Sequence, residues 1–204
     1  MKVNKNKIKS EQSKKQIIEA TIRLLAEKGY GLTSIADISH ATGMTKGALY
    51  HHFSGKEDIF DFAVQTIADM IENSIIENDT SYESVIKQLD NLFEKFIHLF
   101  EENNYSILIL SSFVLKMDVN RASYAQPFIE MLEKLTAFVE RIISKGQANH
   151  EISSEFDSKL LSLNIIGVLL GNTIPWMFSK DRTNYRVIMQ SQKDMLFKAI
   201  AYQR

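Results

Sequence analysis

Gly43-Met44-Thr45-Lys46-Gly47-Ala48-Leu49-Tyr50-His51-His52-Phe53-Ser54-Gly55-Lys56-Glu57 is the stretch on which the reading of this 204-residue chain turns. Thr45 can cap a short helix running through Tyr50, because its hydroxyl can accept from an orphan amide of the first turn. Gly43 supplies the tight bend that two crossed helices need. Just upstream, Leu32-Thr33-Ser34-Ile35-Ala36-Asp37-Ile38-Ser39-His40-Ala41 predicts a first short helix. Thr33 is its expected N-cap, Asp37 favours its positive end, and Ile35, Ile38 and Ala41 recur at helical spacing. Ser54 can cap a further helix, with Glu57 as its capping-box partner.

Two short helices about a glycine turn have the geometry with which proteins read DNA. The first braces across the backbone and the second, Thr45 to Tyr50, offers its face to the major groove. Lys46 can reach a phosphate or a guanine edge. Gly47 and Ala48 are small enough for close approach, and Ala48 can touch a thymine methyl. Tyr50, His51 and His52 offer donors to phosphates, and Lys56 adds a cation beside a helix N-terminus already suited to an anion. The same spacing also occurs in all-α proteins that bind no DNA, and partial burial is the alternative for either histidine ring. A metal site on the His51-His52 pair is not expected, because neighbouring residues point apart on a helix.

Outward from this stretch, only helices are expected. Ile17, Ile18, Ala20, Ile22, Leu24 and Leu25 share one helical face, and Gly29 fits its C-cap. Residues 1–10 are polar, lysine-rich and aperiodic, and read as a mobile arm. Downstream, apolar periodicity predicts helices at about 55–78, 82–102, 105–117, 123–145 (stopped by Gly146), 157–178 and 184–202. The chain therefore divides into a basic arm (1–10), a helix-turn-helix domain (11–56) and a helical body (57–204).

Charge follows that division. Residues 1–56 hold ten Lys/Arg against four Asp/Glu, and the remainder fourteen against twenty-one. A basic head on an acidic body suits a polyanion, although a solvated lysine tail gives the same count. The absence of cysteine excludes disulfides and thiolate chemistry and fits a reducing cytoplasm. The uncharged run Leu160 to Ser179 is long enough to span a bilayer, but Ser162, Asn164, Asn172, Thr173 and Pro175 within it favour a buried helix. There is no Gly-rich phosphate loop, serine elbow or His-Glu-x-x-His site, and Glu94 and His98 lie four apart where a di-iron bundle needs three. An enzyme is not expected, and no cofactor or metal is called for. The rival is a helical binding or scaffold protein whose basic head meets an acidic protein.

From Ile17 to about Phe60 the sequence resembles the DNA-binding domain of the tetracycline-repressor (TetR) family. The resemblance rests on Ile17-Ile18-Glu19-Ala20, Leu24 to Tyr30, Thr33 to Ile38 and, above all, Gly43 to Glu57. The later helices match the family only in number and order. The resemblance implies an all-α fold, with a three-helix reading head joined to a larger ligand-binding and dimerisation body. It implies that Thr45, Lys46, Gly47 and Ala48 face bases, that Tyr50, His52 and Lys56 sit by phosphates, and that Thr33 and Ser34 meet the backbone. His51 would face either DNA or protein.

It also implies a homodimeric repressor on palindromic double-stranded operator DNA, paired through its last two helices and released by a small-molecule effector. Gly167 and Gly171, four apart, would permit close helix approach at that interface, with Met189, Leu196 and Ile200 contributing from the final helix. Packing within one subunit would explain the two glycines as well. Phe93, Phe96, Phe113 and Met117, with the polar-tipped Asn172 and Trp176, are the residues expected to line an apolar or amphipathic ligand site. Core packing is the alternative for each.

Overall fold

The structure, a computed structural model, describes residues 5–77, 83–116, 126–173, 175, 176 and 184–201, with side chains described outside 5, 6, 77 and 103–116. The chain is all-α with eight described helices. Two compact units form, one from the described parts of residues 1–68 and 105–128, the other from 69–104 and 129–204. The first therefore continues past the boundary expected at residue 56.

In the first unit, α1 (Lys5–Leu32), α2 (Ile35–Thr42), α3 (Lys46–His52) and the start of α4 (Lys56–Glu72) gather around one core. Ile17, Ile18, Ala20 and Leu25 of α1 are buried, as are Ile38, Leu49, Phe53, Ile59, Phe60, Ala63 and Val64. Gly29 breaks α1 with φ 75°, the left-handed geometry in which a Cβ is disfavoured. Residues 5–10, expected as an arm, are the first turns of α1. Lys, Glu and Gln are good helix formers even where no apolar stripe reveals the helix.

In the second unit, α4 passes into a π-helical turn, Asn73–Glu77, whose Ile75 carbonyl accepts from Lys95 Nζ at 3.1 Å. Then come α5 (Val85–Lys116) up to residue 104, α6 (Gln126–Ala148) from residue 129, α7 (Ser158–Gly171) and α8 (Tyr185–Ile200). The two helices expected at 82–102 and 105–117 are one, because Glu101-Glu102-Asn103-Asn104 contains neither glycine nor proline to stop it. α7 is capped by Asp157, which accepts from Leu160 N at 2.8 Å, and α8 by Asn184, which accepts from Arg186 N at 2.8 Å. No described helix is long and apolar enough to cross a membrane.

Gly146 does not stop α6, which runs two residues beyond it. A Cβ there would lie 2.8 Å from both Ile152 Cδ1 and Val85 Cγ1, so the residue serves close approach instead. The chain then reverses onto it: Glu151 N and Ile152 N both donate to Gly146 O, at 2.8 and 3.1 Å. From this reversal Glu151 Oε2 accepts from Val85 N at 2.7 Å, capping α5. Ser153 N donates to Ile200 O at 2.9 Å, and Ile152 forms an antiparallel bridge with Ala201. The ends of α5, α6 and α8 are thereby tied together. α8 is held to α5 by ion pairs as well: Arg186 grips Glu101 through two nitrogens, at 2.7 and 3.1 Å, and Glu94 at 2.7 Å. The guanidinium holds the Glu101 carboxyl below its ordinary range.

Candidate nucleic-acid interface

Local hydrogen bonds set each step of the α2–turn–α3 path. Ser34 is the N-cap of α2: its Oγ accepts from Asp37 N at 3.2 Å, and Asp37 Oδ2 accepts from Ser34 N at 2.7 Å. Thr33, expected as the cap and as a backbone contact, is instead buried. Its Oγ1 donates to Gly29 O at 2.8 Å and its N–H to Tyr30 O at 3.3 Å. Turned inward, this threonine closes the α1 end, and the capping role passes one residue on. Asp37 is also paired with Lys28 Nζ at 2.7 Å. That ammonium, with the bonds from Ser34, holds its carboxyl well below the usual range.

α2 ends on Gly43, at φ 68°. Two side chains missed in the sequence lock the turn that follows. Thr42 Oγ1 donates to Ile38 O at 2.8 Å and accepts from Met44 N at 3.3 Å, while Ser39 Oγ donates to Met44 O at 2.6 Å. Thr45 then caps α3, its Oγ1 accepting from Ala48 N at 3.2 Å.

Only Leu49 of α3 is buried. Thr45, Lys46, Gly47, Tyr50 and His51 are exposed, with Tyr50 at 56%, and Ala48 and His52 are half-buried. The two imidazoles meet edge to face at 5.3 Å. A Cβ added at Gly47 would meet nothing nearer than the Thr45 hydroxyl at 3.9 Å. Among the described residues, therefore, nothing packs closely enough to require glycine there. Phe53 closes α3, its N–H donating to Leu49 O at 3.0 Å and its ring buried against Phe62 at 5.4 Å.

Ser54 pairs with Asp58 rather than Glu57: Asp58 Oδ2 accepts from Ser54 N at 2.7 Å and from its Oγ at 3.1 Å. Lys56, expected beside a phosphate, is engaged within the protein. Its Nζ donates to Tyr30 O at 2.6 Å and lies 4.0 Å from the centre of the Tyr30 ring.

In the second unit, α7 is apolar on both sides. Leu161, Ile165, Ile166 and Leu169 are buried, while Leu160, Leu163, Gly167 and Gly171 are exposed. A groove of about 350 Å³ runs along this outer face, lined by Leu163, Asn164, Gly167, Val168, Gly171, Asn172 and Gln192. Met189 and Ile200, expected at an interface, are core residues at 0% and 1% exposure, and Leu196 is half-buried. The outer apolar residues of α8 are Val187 and Met195.

Of the expected ligand residues, Phe93 and Phe96 are buried in the core, with Phe93 edge-on to Phe197 at 5.8 Å, and neither borders the groove. Asn172 borders it and donates to Val168 O at 2.9 Å. Trp176 meets Phe100 edge-on at 5.0 Å, and Phe100 stacks on Tyr185 at 3.7 Å. The Phe113 side chain and Met117 lie outside the described residues. Among the described residues no group of three or more His, Asp or Glu could hold a metal ion.

A capped helix pair locked about a left-handed glycine, with the second helix bare on its outer side, is the helix-turn-helix geometry with which proteins read DNA. Residues 17–62 match the family described as bacterial regulatory proteins, tetR family. The chain is 22% identical to the fatty acid metabolism regulator protein of Bacillus subtilis, over 91% of this chain and 94% of that one. It is 34% identical over 89 residues to the negative regulator IcaR of Staphylococcus aureus, where it spans about half of the relative's length. Its fold matches that of FadR from Bacillus subtilis, solved with stearoyl-CoA, at a TM-score of 0.76 and 20% identity, covering 89% of this chain and 96% of that one.

Proposed function

We propose that the protein is a cytoplasmic homodimeric repressor that grips a palindromic operator through α3 and leaves it when a small molecule binds the body. The observation that carries this reading is the bare outer face of α3 around Gly47, a glycine that no neighbour among the described residues requires. A missing side chain at such a place suits a surface that must come close to base edges. Thr45, Lys46, Gly47 and Ala48 read bases in this proposal, and Ser34, Tyr50, His51 and His52 contact the phosphate backbone.

The exposed apolar side of α7, with Val187 and Met195 of α8, is the surface proposed to pair two chains. Leu160 at 61% and Leu163 at 48% exposure are costly to leave in water and gain by meeting a second copy. Pairing would present α3 twice, as a palindrome requires. A relative described as a negative regulator supports repression rather than activation.

The effector proposed first is a long-chain acyl-CoA, on the likeness to fatty acid regulators and to a structure solved with stearoyl-CoA. Its binding would shift the helix near 55–78, so that the two α3 helices no longer match successive major grooves. Such release needs a different affinity of the effector for the two states, typically ~1–3 kcal/mol of coupling. The test is to select duplexes from genomic fragments, measure affinity against salt, and titrate acyl-CoAs of graded chain length. A steep salt slope on a palindrome, with affinity lost on adding one chain-length class, is the expected result. Equal retention of all fragments would refute the operator reading, and indifference to every acyl-CoA would refute the effector class.

A further inference from the structure

We propose that Lys193 is a positioning residue: with Asp90 and Glu94 of α5 it pins the middle of α8, and so sets the face that α7 and α8 offer to a second copy of this chain. The inference rests on the reading of α7 and α8 as the pairing surface. Apolar packing does little to fix the middle of α8. Tyr185, Met189 and Ile200 are its buried residues. From Gln190 to Ala199 no residue is fully buried, and Leu196 and Phe197 are half-buried. Within that stretch the Lys193 side chain is only 13% exposed. A lysine is withdrawn from water to this degree only where its charge is paired.

Glu94 is the shared node of that pairing. Lys193 Nζ donates to Asp90 and lies 3.4 Å from Glu94 Oε1. The other Glu94 oxygen, Oε2, accepts from Arg186 at 2.7 Å, and Arg186 also holds Glu101. Two cations of α8, two helical turns apart, therefore face acids that run from Asp90 to Glu101 on α5. Burial pushes the Lys193 ammonium down, but the two carboxylates outweigh it and hold the group above its ordinary value. Arg186 lies in the first turn of α8, where the helix dipole disfavours a cation, so α5 and not α8 accounts for its place. Such pairs add little net stability, and setting register is their clearest use.

The pin matters for pairing because of what lies beside it. Gln192 borders the groove along α7, and Met195 is exposed. Adjacent residues of a helix are about 100° apart, so binding Lys193 to α5 fixes the rotation at which Gln192 meets the groove. With the ammonium gone this segment can roll, and Met195 loses its alignment with the exposed Leu163 of α7.

The experiment compares wild type, Lys193→Met and Lys193→Arg, each also combined with Leu163→Glu to isolate the single chain. Dimer dissociation constants come from sedimentation equilibrium, single-chain stability from thermal melting, and the setting of α8 from the Met195 methyl resonance. Lys193→Met is expected to weaken pairing at least about tenfold, equal to ~1.4 kcal/mol. Its unbranched side chain keeps the apolar stem, and the carboxylates it releases are partly exposed, so single-chain melting should stay within about 4 °C. The Met195 methyl should shift. Lys193→Arg should restore both the pairing and the resonance.

Unchanged pairing in Lys193→Met would overturn the pin. Weakened pairing with a larger fall in single-chain melting, or with an unmoved Met195 methyl, would show a merely structural role and overturn it too. If wild type does not pair, or Leu163→Glu does not separate the chains, the pairing reading fails, and the resonance still decides. An unmoved methyl overturns the pin; one moved by Lys193→Met and returned by Lys193→Arg upholds it.

Discussion

Replacing Gly47 with alanine should raise the stability of this protein and lower its affinity for DNA. Gly47 lies inside α3, in helical backbone, and the added methyl would meet nothing nearer than 3.9 Å. Glycine in a helix costs ~0.5–1 kcal/mol against alanine, through the entropy its unfolded chain keeps. A chain of this size gains ~2–4 °C in melting temperature per kcal/mol, so a rise of roughly 1–4 °C is expected. On DNA the same methyl stands on the outer face of α3, once in each chain of the proposed dimer. A defect at a base-reading position costs ~1–3 kcal/mol, so two of them should weaken operator binding by at least about tenfold. Differential scanning fluorimetry and fluorescence anisotropy on a selected duplex, run on the same sample, give both numbers. A higher melting temperature with unchanged affinity would refute the placement of α3 against bases. A lower melting temperature would refute the open space around Gly47.

Three further outcomes are expected. Asp37 has its carboxyl held down by Lys28 and Ser34, so its contribution is present above the unfolded value of about 3.9 and is lost as pH falls toward the depressed folded value. Asp37→Asn should therefore melt lower than wild type at pH 7 and converge with it in strong acid, as a melting series across pH would record. Leu163→Glu, on the exposed side of α7, should give a single-chain species in sedimentation equilibrium and abolish tight operator binding; a persistent dimer would remove this face from the interface. Gly146→Ala forces a methyl to within 2.8 Å of Val85 and Ile152, and should cost ~1–3 kcal/mol by overpacking, measured by urea titration.

The parts of the fold that could be read in advance are those fixed by neighbours in sequence. Gly29 and Gly43 carry the left-handed φ angles that end helices, and Thr45 caps α3 through an amide three residues on. Even there Ser34 caps where Thr33 is expected and Asp58 pairs where Glu57 is expected, because adjacent residues have the same chemistry and the choice between them depends on which one the α1 end or the α4 start turns inward. What could not be read is what depends on partners far along the chain. Lys56 and Tyr30 are 26 residues apart, and no local pattern marks them as a pair. α7 is apolar all round, so periodicity could not say which side faces the core. Met189 and Ile200, expected at an interface, are buried, while Val187 and Met195 of the same helix are exposed. Gly146 has the sequence signature of a helix stop, and only the approach of Val85 shows why a larger residue would not fit.

The reversal after α6 has a consequence for biosynthesis. It joins Val85 at one end of α5 to Glu151, and Ile152 and Ser153 to Ala201 and Ile200. At ~5–20 residues per second, on the order of 10 s passes between translation of Val85 and translation of Ala201. Throughout that interval the apolar side of α5 has emerged without its final cover. The nascent body is a natural client for a chaperone that shields extended helices, and a ribosome stalled before Ala201 should display a protease-sensitive body.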